Sequence, residues 1–203
     1  MEIKMDVFTF LFLTLGPIKI IGPYMSIVQH ATPKMAFQIA LRATLFSCLA
    51  ILIATLLGER ILTQYGIPLP ILTLSGGLIL FLVALLSVIK QFDTNVEERG
   101  EIVNPKLSMA MHPLAFPTIV TPYGLAAVIV FLSVCEDIQC KLRVVAILVG
   151  IMVLNFVVML ISRRIFKPLS LILAVLGAVL GIVQVALGLS IIFRSVTALY
   201  QGS

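Results

Sequence analysis

The sequence predicts an all-α polytopic membrane protein: six transmembrane helices forming two inverted three-helix repeats, with helices 1 and 4 interrupted. Three observations predict it. Of 203 residues, 61% are hydrophobic and 11% charged, whereas a soluble domain carries roughly 25% charged residues. The polar residues sit in short clusters, which leaves no polar surface for a soluble fold of this size. Six runs of about 20 apolar residues follow one another, each long enough to cross a hydrocarbon core of ~30 Å. Finally, a proline pattern in the first half returns in the second about 100 residues later.

The first run, residues 7–29, holds LGPIKIIGPY, in which two Gly-Pro pairs flank a lysine. The second, 37–57, has Arg42 near its start, placed to snorkel to headgroups; Cys48 inside it reads as a small packing residue. The third, 69–89, contains Ser75-Gly76-Gly77. A polar stretch, DTNVEERGEIVNP at 93–105, separates it from the fourth run, 110–134, which begins near His112 and carries PLAFPTIVTPYG. The fifth, 143–162, is apolar apart from Asn155. In the sixth, 169–193, Gly177, Gly181, Gln184 and Gly188 recur at helical spacing, so they share one face suited to close helix packing. Barrel strands would need in-out alternation, which VVAILVGIMVLNFVVMLIS lacks.

The chain has three cysteines and no CxxC or HExxH spacing. Cys135 and Cys140 flank the turn EDIQ, a spacing compatible with a local disulfide. The amino terminus MEIKMDVFTF does not read as a cleaved signal, because its apolar run is too long and no small-x-small site follows. The formal charge of +5 speaks to orientation in a bilayer, not to nucleic acid. The side of the amino terminus holds five Lys and Arg, the other eight. The positive-inside rule then places the protein in the cell membrane with both termini outside the cytoplasm.

Pro17 and Pro23-Tyr24 are answered by Pro117 and Pro122-Tyr123, and Ser75-Gly76-Gly77 is answered near Gly177. The single transmembrane domain, 1–203, thus divides into a first repeat at 7–92, a cytoplasmic linker at 93–106 and a second repeat at 107–196. Three crossings per unit invert the second copy relative to the first. Interrupted segments at matching positions of inverted repeats point to a secondary transporter's binding site.

Each proline removes an amide and crowds the carbonyl four residues earlier. Pro17 frees the carbonyl of Leu13, Pro23 that of Lys19, Pro117 that of Pro113 and Pro122 that of Thr118. Beyond each break a half-helix is expected to start at proline, its early amides at 24–26 and 123–125 offering an anion site at the midplane. Lys19 lies roughly 15 Å or more from either end of its run, beyond the reach of snorkelling. At about 2.5 to 3.5 kcal/mol for a central lysine, a partner or a wet cavity must offset it. Two readings stand: Lys19 caps the freed carbonyls, or it faces solute, coupling ion or water. Gln184 and Asn155 are each open to an interhelical hydrogen bond or to solute.

GPIKIIGPYMSIVQHATPK at 16–34, LSGGLILFLVAL at 74–85, PLAFPTIVTPYG at 113–124 and LGAVLGIVQVALGL at 176–189 together resemble the MarC family, the group of the SnatA-type neutral amino acid transporters. The resemblance covers nearly the whole chain. It implies two inverted three-helix units and transport of small neutral amino acids. The family commonly shows Asn-Pro or Asp-Pro with a glycine two residues after the proline; here Gly16-Pro17 stands there and Lys19 replaces that glycine. The second unit has Thr121-Pro122-Tyr123 in place of Gly-Pro-Gly.

The expected function is therefore secondary transport of a small solute between the broken helices, with Lys19, Gly22, Tyr24, Thr118, Thr121, Tyr123, Gly124 and Gln184 as substrate-binding candidates and Pro17, Pro23, Pro117 and Pro122 as the breaks. A sodium or proton coupling ion and a homo-oligomer are compatible with it. No catalytic set, metal site or cofactor motif is found, so an enzyme is not expected. The alternative is a non-transporting assembly or partner subunit, for which glycine-lined faces suffice.

Overall fold

Hydrocarbon offers the backbone no hydrogen-bond partner, so each apolar run closes its own bonds as helix. The computed structural model describes residues 3–92, 105–135 and 137–201, with no strand among them. Helix α1 spans Ile3–Leu15, a tight 3-10 turn covers Pro17–Ile20, and α2 follows over Ile21–Val28. Helix α3 runs Pro33–Gln64 and α4 runs Leu69–Phe92, joined through Gly66, whose φ of 59° is left-handed and suits glycine. After a turn at Leu107–Ala110, the chain winds more widely through Met111–Ile119 before α5, Pro122–Val134, and α6, Ile138–Gln201. Among the described residues, five segments are long and apolar enough to cross a membrane. The pair Leu107–Ile119 and Pro122–Val134, bent by 59°, makes a sixth when counted as one span.

The helical backbone of α6 covers 64 residues, which would be roughly 96 Å if straight. It is not straight. Asn155 Nδ2 donates to the Leu15 carbonyl and Gln184 Nε2 to the Leu13 carbonyl, each at 2.8 Å. Two donors 29 residues apart in sequence meet carbonyls two residues apart, so α6 folds back between them and supplies two spans, Ile138–Ser162 and Val175–Tyr200. Runs five and six, expected at 143–162 and 169–193, are two spans, and the backbone makes the reversal between them while staying helical. The linker expected at 93–106 lies outside the described residues except for 105 and 106.

The first span is the centre of the bundle: half of its residues are buried, against 11% in the last span. Leu11, Leu15, Ile20, Tyr24 and Val28 from it pack with Ile39 and Ala43 of α3, Leu114 and Ile119, and Ile151 and Met159 of α6. Leu41, Leu45, Leu49, Leu52 and Leu56 of α3 are exposed, which hydrocarbon solvates at no cost. Cys48, expected as a packing residue, is free and exposed on α3, on the face that also exposes Leu41, Leu45 and Leu52. Cys135 and Cys140 are joined in a disulfide that ties the end of α5 to the start of α6, with Cα atoms 5.5 Å apart.

Glycines bring α4 and the second α6 span together. A Cβ at Gly188 would lie 2.8 Å from the Phe81 backbone, one at Gly77 2.7 Å from Ile191, and one at Gly181 2.9 Å from Val88. The pairing runs antiparallel, and small residues permit the close approach that van der Waals attraction between membrane helices requires.

Candidate functional site

The first break starts at Gly16, which is extended (φ −76°, ψ 170°), with Pro17 opening the 3-10 turn. Pro17 offers no amide to Leu13, and the extended residue turns the following amides away from the end of α1. Three successive carbonyls there take side-chain donors instead. Gln184 serves Leu13, Lys19 Nζ serves Thr14, and Asn155 serves Leu15. Hydrocarbon offers these carbonyls no other partner, so each donor stabilises the break. The ammonium also sits at the negative end of the α1 dipole, where a cation is favoured. Lys19 is thus a carbonyl cap.

The second break follows from the rule that residues before proline leave the α region. His112 (φ −131°, ψ 128°) and Phe116 (φ −129°, ψ 130°), preceding Pro113 and Pro117, are both extended. Val120 and Thr121 are extended as well, and α5 restarts with Pro122 at its first position. Thr121 Oγ1 accepts from the Gly124 amide at 3.2 Å, a side-chain N-cap.

Two expectations about half-helix amides are corrected here. The helix after the first break restarts at Pro17 and Ile21 rather than Pro23, which rides in the first turn of α2; the amides at 24–26 are therefore not the start of that segment. In the second, the Gly124 amide is taken by Thr121, so 123–125 do not present three open donors.

Between the breaks lies a cavity of about 350 Å³. The first break contributes Phe12, Leu13, Gly16, Ile18 and Lys19; the second contributes Pro117, Thr118, Thr121 and Tyr123. Val83 and Ser87 of α4 and Gly177, Leu180, Gly181 and Gln184 of α6 complete the wall. Lys19 Nζ lies 5.5 Å from the centroid of the Tyr123 ring, a cation–π distance. One of its three donors is spent on Thr14. Gln184 spends its amide N–H on Leu13, which fixes the amide orientation and leaves Oε1 as an acceptor.

Of the candidates from sequence, Lys19, Thr118, Thr121, Tyr123, Gln184 and Pro117 line this cavity. The six others lie elsewhere in the fold. Tyr24 is buried and its hydroxyl donates to the Ala36 carbonyl at 3.0 Å, anchoring α2 on α3. Gly124 packs under Leu15, and Gly22 and Pro23 are exposed on α2. Pro17 is buried and Pro122 starts α5. Sequence reasoning did not single out Val83, Ser87 or Leu180 as wall residues, and read Gly177 as packing. Thr14 was missed too; a polar residue fully buried within an apolar run was its signal.

The cavity is confined to one half of the bundle. Its α4 residues lie in the second half of that helix and its α6 residues at the start of the last span. The other half is tightly packed: besides the contacts at Gly188 and Gly77, Cβ atoms at Gly76 and Gly58 would come 3.0 Å from Ala126 and 2.6 Å from Ile129 of α5.

Fold and site together define a polytopic α-helical membrane protein with a cavity, bearing Lys19 and Gln184 on its wall, at two broken spans. The chain belongs to the MarC family of integral membrane proteins, whose model matches residues 1–200. It is 24% identical to the UPF0056 membrane protein MJ0972 of Methanocaldococcus jannaschii over 96% of this chain and 86% of that one. It is 23% identical to MJ1677 of the same organism over 93% of each chain. The UPF0056 inner membrane protein YhgN of Escherichia coli is 29% identical over 57% of each. No solved structure matches the chain.

Proposed function

We propose that the protein is a secondary transporter of a small solute, a small neutral amino acid, bound in the cavity between the two broken spans. The cavity carries this reading: about 350 Å³, walled by both breaks and by a lysine. The remaining Lys19 donors suit a carboxylate, and Gln184 Oε1 with the carbonyl freed at Thr118 suits an ammonium. The matched breaks and the antiparallel packing of α4 on the last span support two inverted three-helix units. Purified protein in liposomes is expected to take up labelled glycine or alanine above protein-free liposomes, driven by an imposed sodium or proton gradient. These solutes should also raise its melting temperature by mass action. Neither uptake nor stabilisation by any small solute, with stoichiometric co-purification of another membrane protein, would favour the assembly-subunit reading.

The reading places both termini outside the cytoplasm. Two independent features support it: the Lys and Arg asymmetry, and the Cys135–Cys140 disulfide on the amino-terminal side, since such bonds persist in oxidising compartments. In a Cys48→Ser background, a membrane-impermeant maleimide added to intact cells is expected to label the protein only after reduction. Labelling without reductant, or only after the cells are broken, would reverse the orientation or remove the disulfide.

A further inference from the structure

Gly177, Leu180, Gly181 and Gln184 recur at spacings of three and four on α6, and all four line the cavity; this face points inward. Its two glycines have different surroundings. A Cβ at Gly181 would meet Val88 at 2.9 Å, whereas a Cβ at Gly177 would meet none of the described residues within 4 Å. Glycine weakens a helix interior, and at Gly177 no close packing accounts for it.

The position along the helix gives the reason. Gly177 is seven residues, roughly 10 Å, from Gln184, at the end of the cavity remote from the capped carbonyls of α1. On the other side of Gln184 the bundle closes within one turn, where Gly188 meets the Phe81 backbone. We infer that Gly177 marks the mouth of the cavity: in this conformation solute exchanges past it with the side where α4 ends, while the Gly58, Gly76, Gly77 and Gly188 contacts seal the opposite side. The inference rests on the transporter reading for its solute but not for its geometry. A Cβ at residue 177 meets none of the described residues within 4 Å, so a bulky side chain there projects into the route and obstructs passage. In the proposed orientation this side is the cytoplasm.

The test uses full-length Gly177→Cys in the Cys48→Ser background, reconstituted in vesicles of known orientation, with an impermeant methanethiosulfonate added from one side at a time. Modification is expected only from the side where α4 ends, and alanine is expected to slow it. Leu80→Cys, buried in the sealed half, is expected to stay unmodified from both sides. As a second readout, Gly177→Phe is expected to melt like wild type and to lose at least about tenfold in uptake rate. Modification of Gly177→Cys from the opposite side, from both sides or from neither overturns the inference, as does wild-type uptake by Gly177→Phe. Failure of wild type to transport any solute while Gly177→Cys is modified from the expected side alone overturns the transport reading and leaves the mouth in place.

Discussion

Lys19→Met is expected to lower uptake by about 10- to 100-fold, because a hydrogen bond to a charged group contributes about 1.5 to 3 kcal/mol and each 1.36 kcal/mol is a factor of ten. The ammonium has two roles that separate experimentally. It caps the Thr14 carbonyl at the end of α1, and its other donors, beside the Tyr123 ring, form the positive part of the cavity wall. Loss of the cap is a stability effect. Measured hydrogen bonds between membrane helices average about 0.6 kcal/mol, so melting should fall by only a few degrees. Loss of the charge is a binding effect, visible as weaker solute-induced stabilisation in protein that is still folded. Lys19→Arg keeps the charge and is expected to retain part of the uptake. Equal flux from wild type and Lys19→Met would leave Lys19 as a structural cap and move the solute's carboxylate elsewhere.

The spans were legible because hydrocarbon enforces them: a run of about 20 apolar residues has few alternatives to helix. The breaks were legible because proline acts on its own neighbourhood, and His112 and Phe116 are extended for a purely local reason. The same local rule misplaced the restart of the first half-helix. Pro23 sits within the first turn of α2, where an amide has no intrahelical partner to lose, so Pro17 and Pro23 make one break and not two. Tertiary placement was not legible. Asn155 and Gln184 had to find partners, yet those partners lie 140 and 171 residues away in the chain, and only the reversal inside α6 brings both to the end of α1. Val83 and Ser87 look like lipid-facing positions of an apolar helix; their place at the cavity depends on how α4 leans on the last span.

The pair of Gly-Pro motifs around Lys19 gives the sharpest contrast between motif and environment. Gly16 and Gly22 each precede a proline in the same ten-residue stretch, so sequence treats them alike. Their surroundings differ. A Cβ at Gly16 would fall on the carbonyl oxygen of Phe12, a backbone atom fixed within α1. A Cβ at Gly22 would meet none of the described residues within 4 Å. At Gly16 the chain can relieve the overlap only by moving the end of α1, which carries the three carbonyls bound by Gln184, Lys19 and Asn155. Forcing a methyl into packed structure costs about 1 to 3 kcal/mol and more where backbone must shift, so Gly16→Ala is expected to cost at least about 3 kcal/mol. For a chain of this size each kcal/mol lowers the melting temperature by roughly 2 to 4 °C, which predicts a drop of about 6 to 12 °C in detergent. Gly22→Ala, on an exposed helical site, is expected to melt within a degree or two of wild type or slightly above it, since alanine is the better helix former. Uptake should follow the same split, because Gly16 lines the cavity and Gly22 does not. Equal melting of the two variants would mean that the break at Gly16 is not held in the extended turn that brings Lys19 back onto α1.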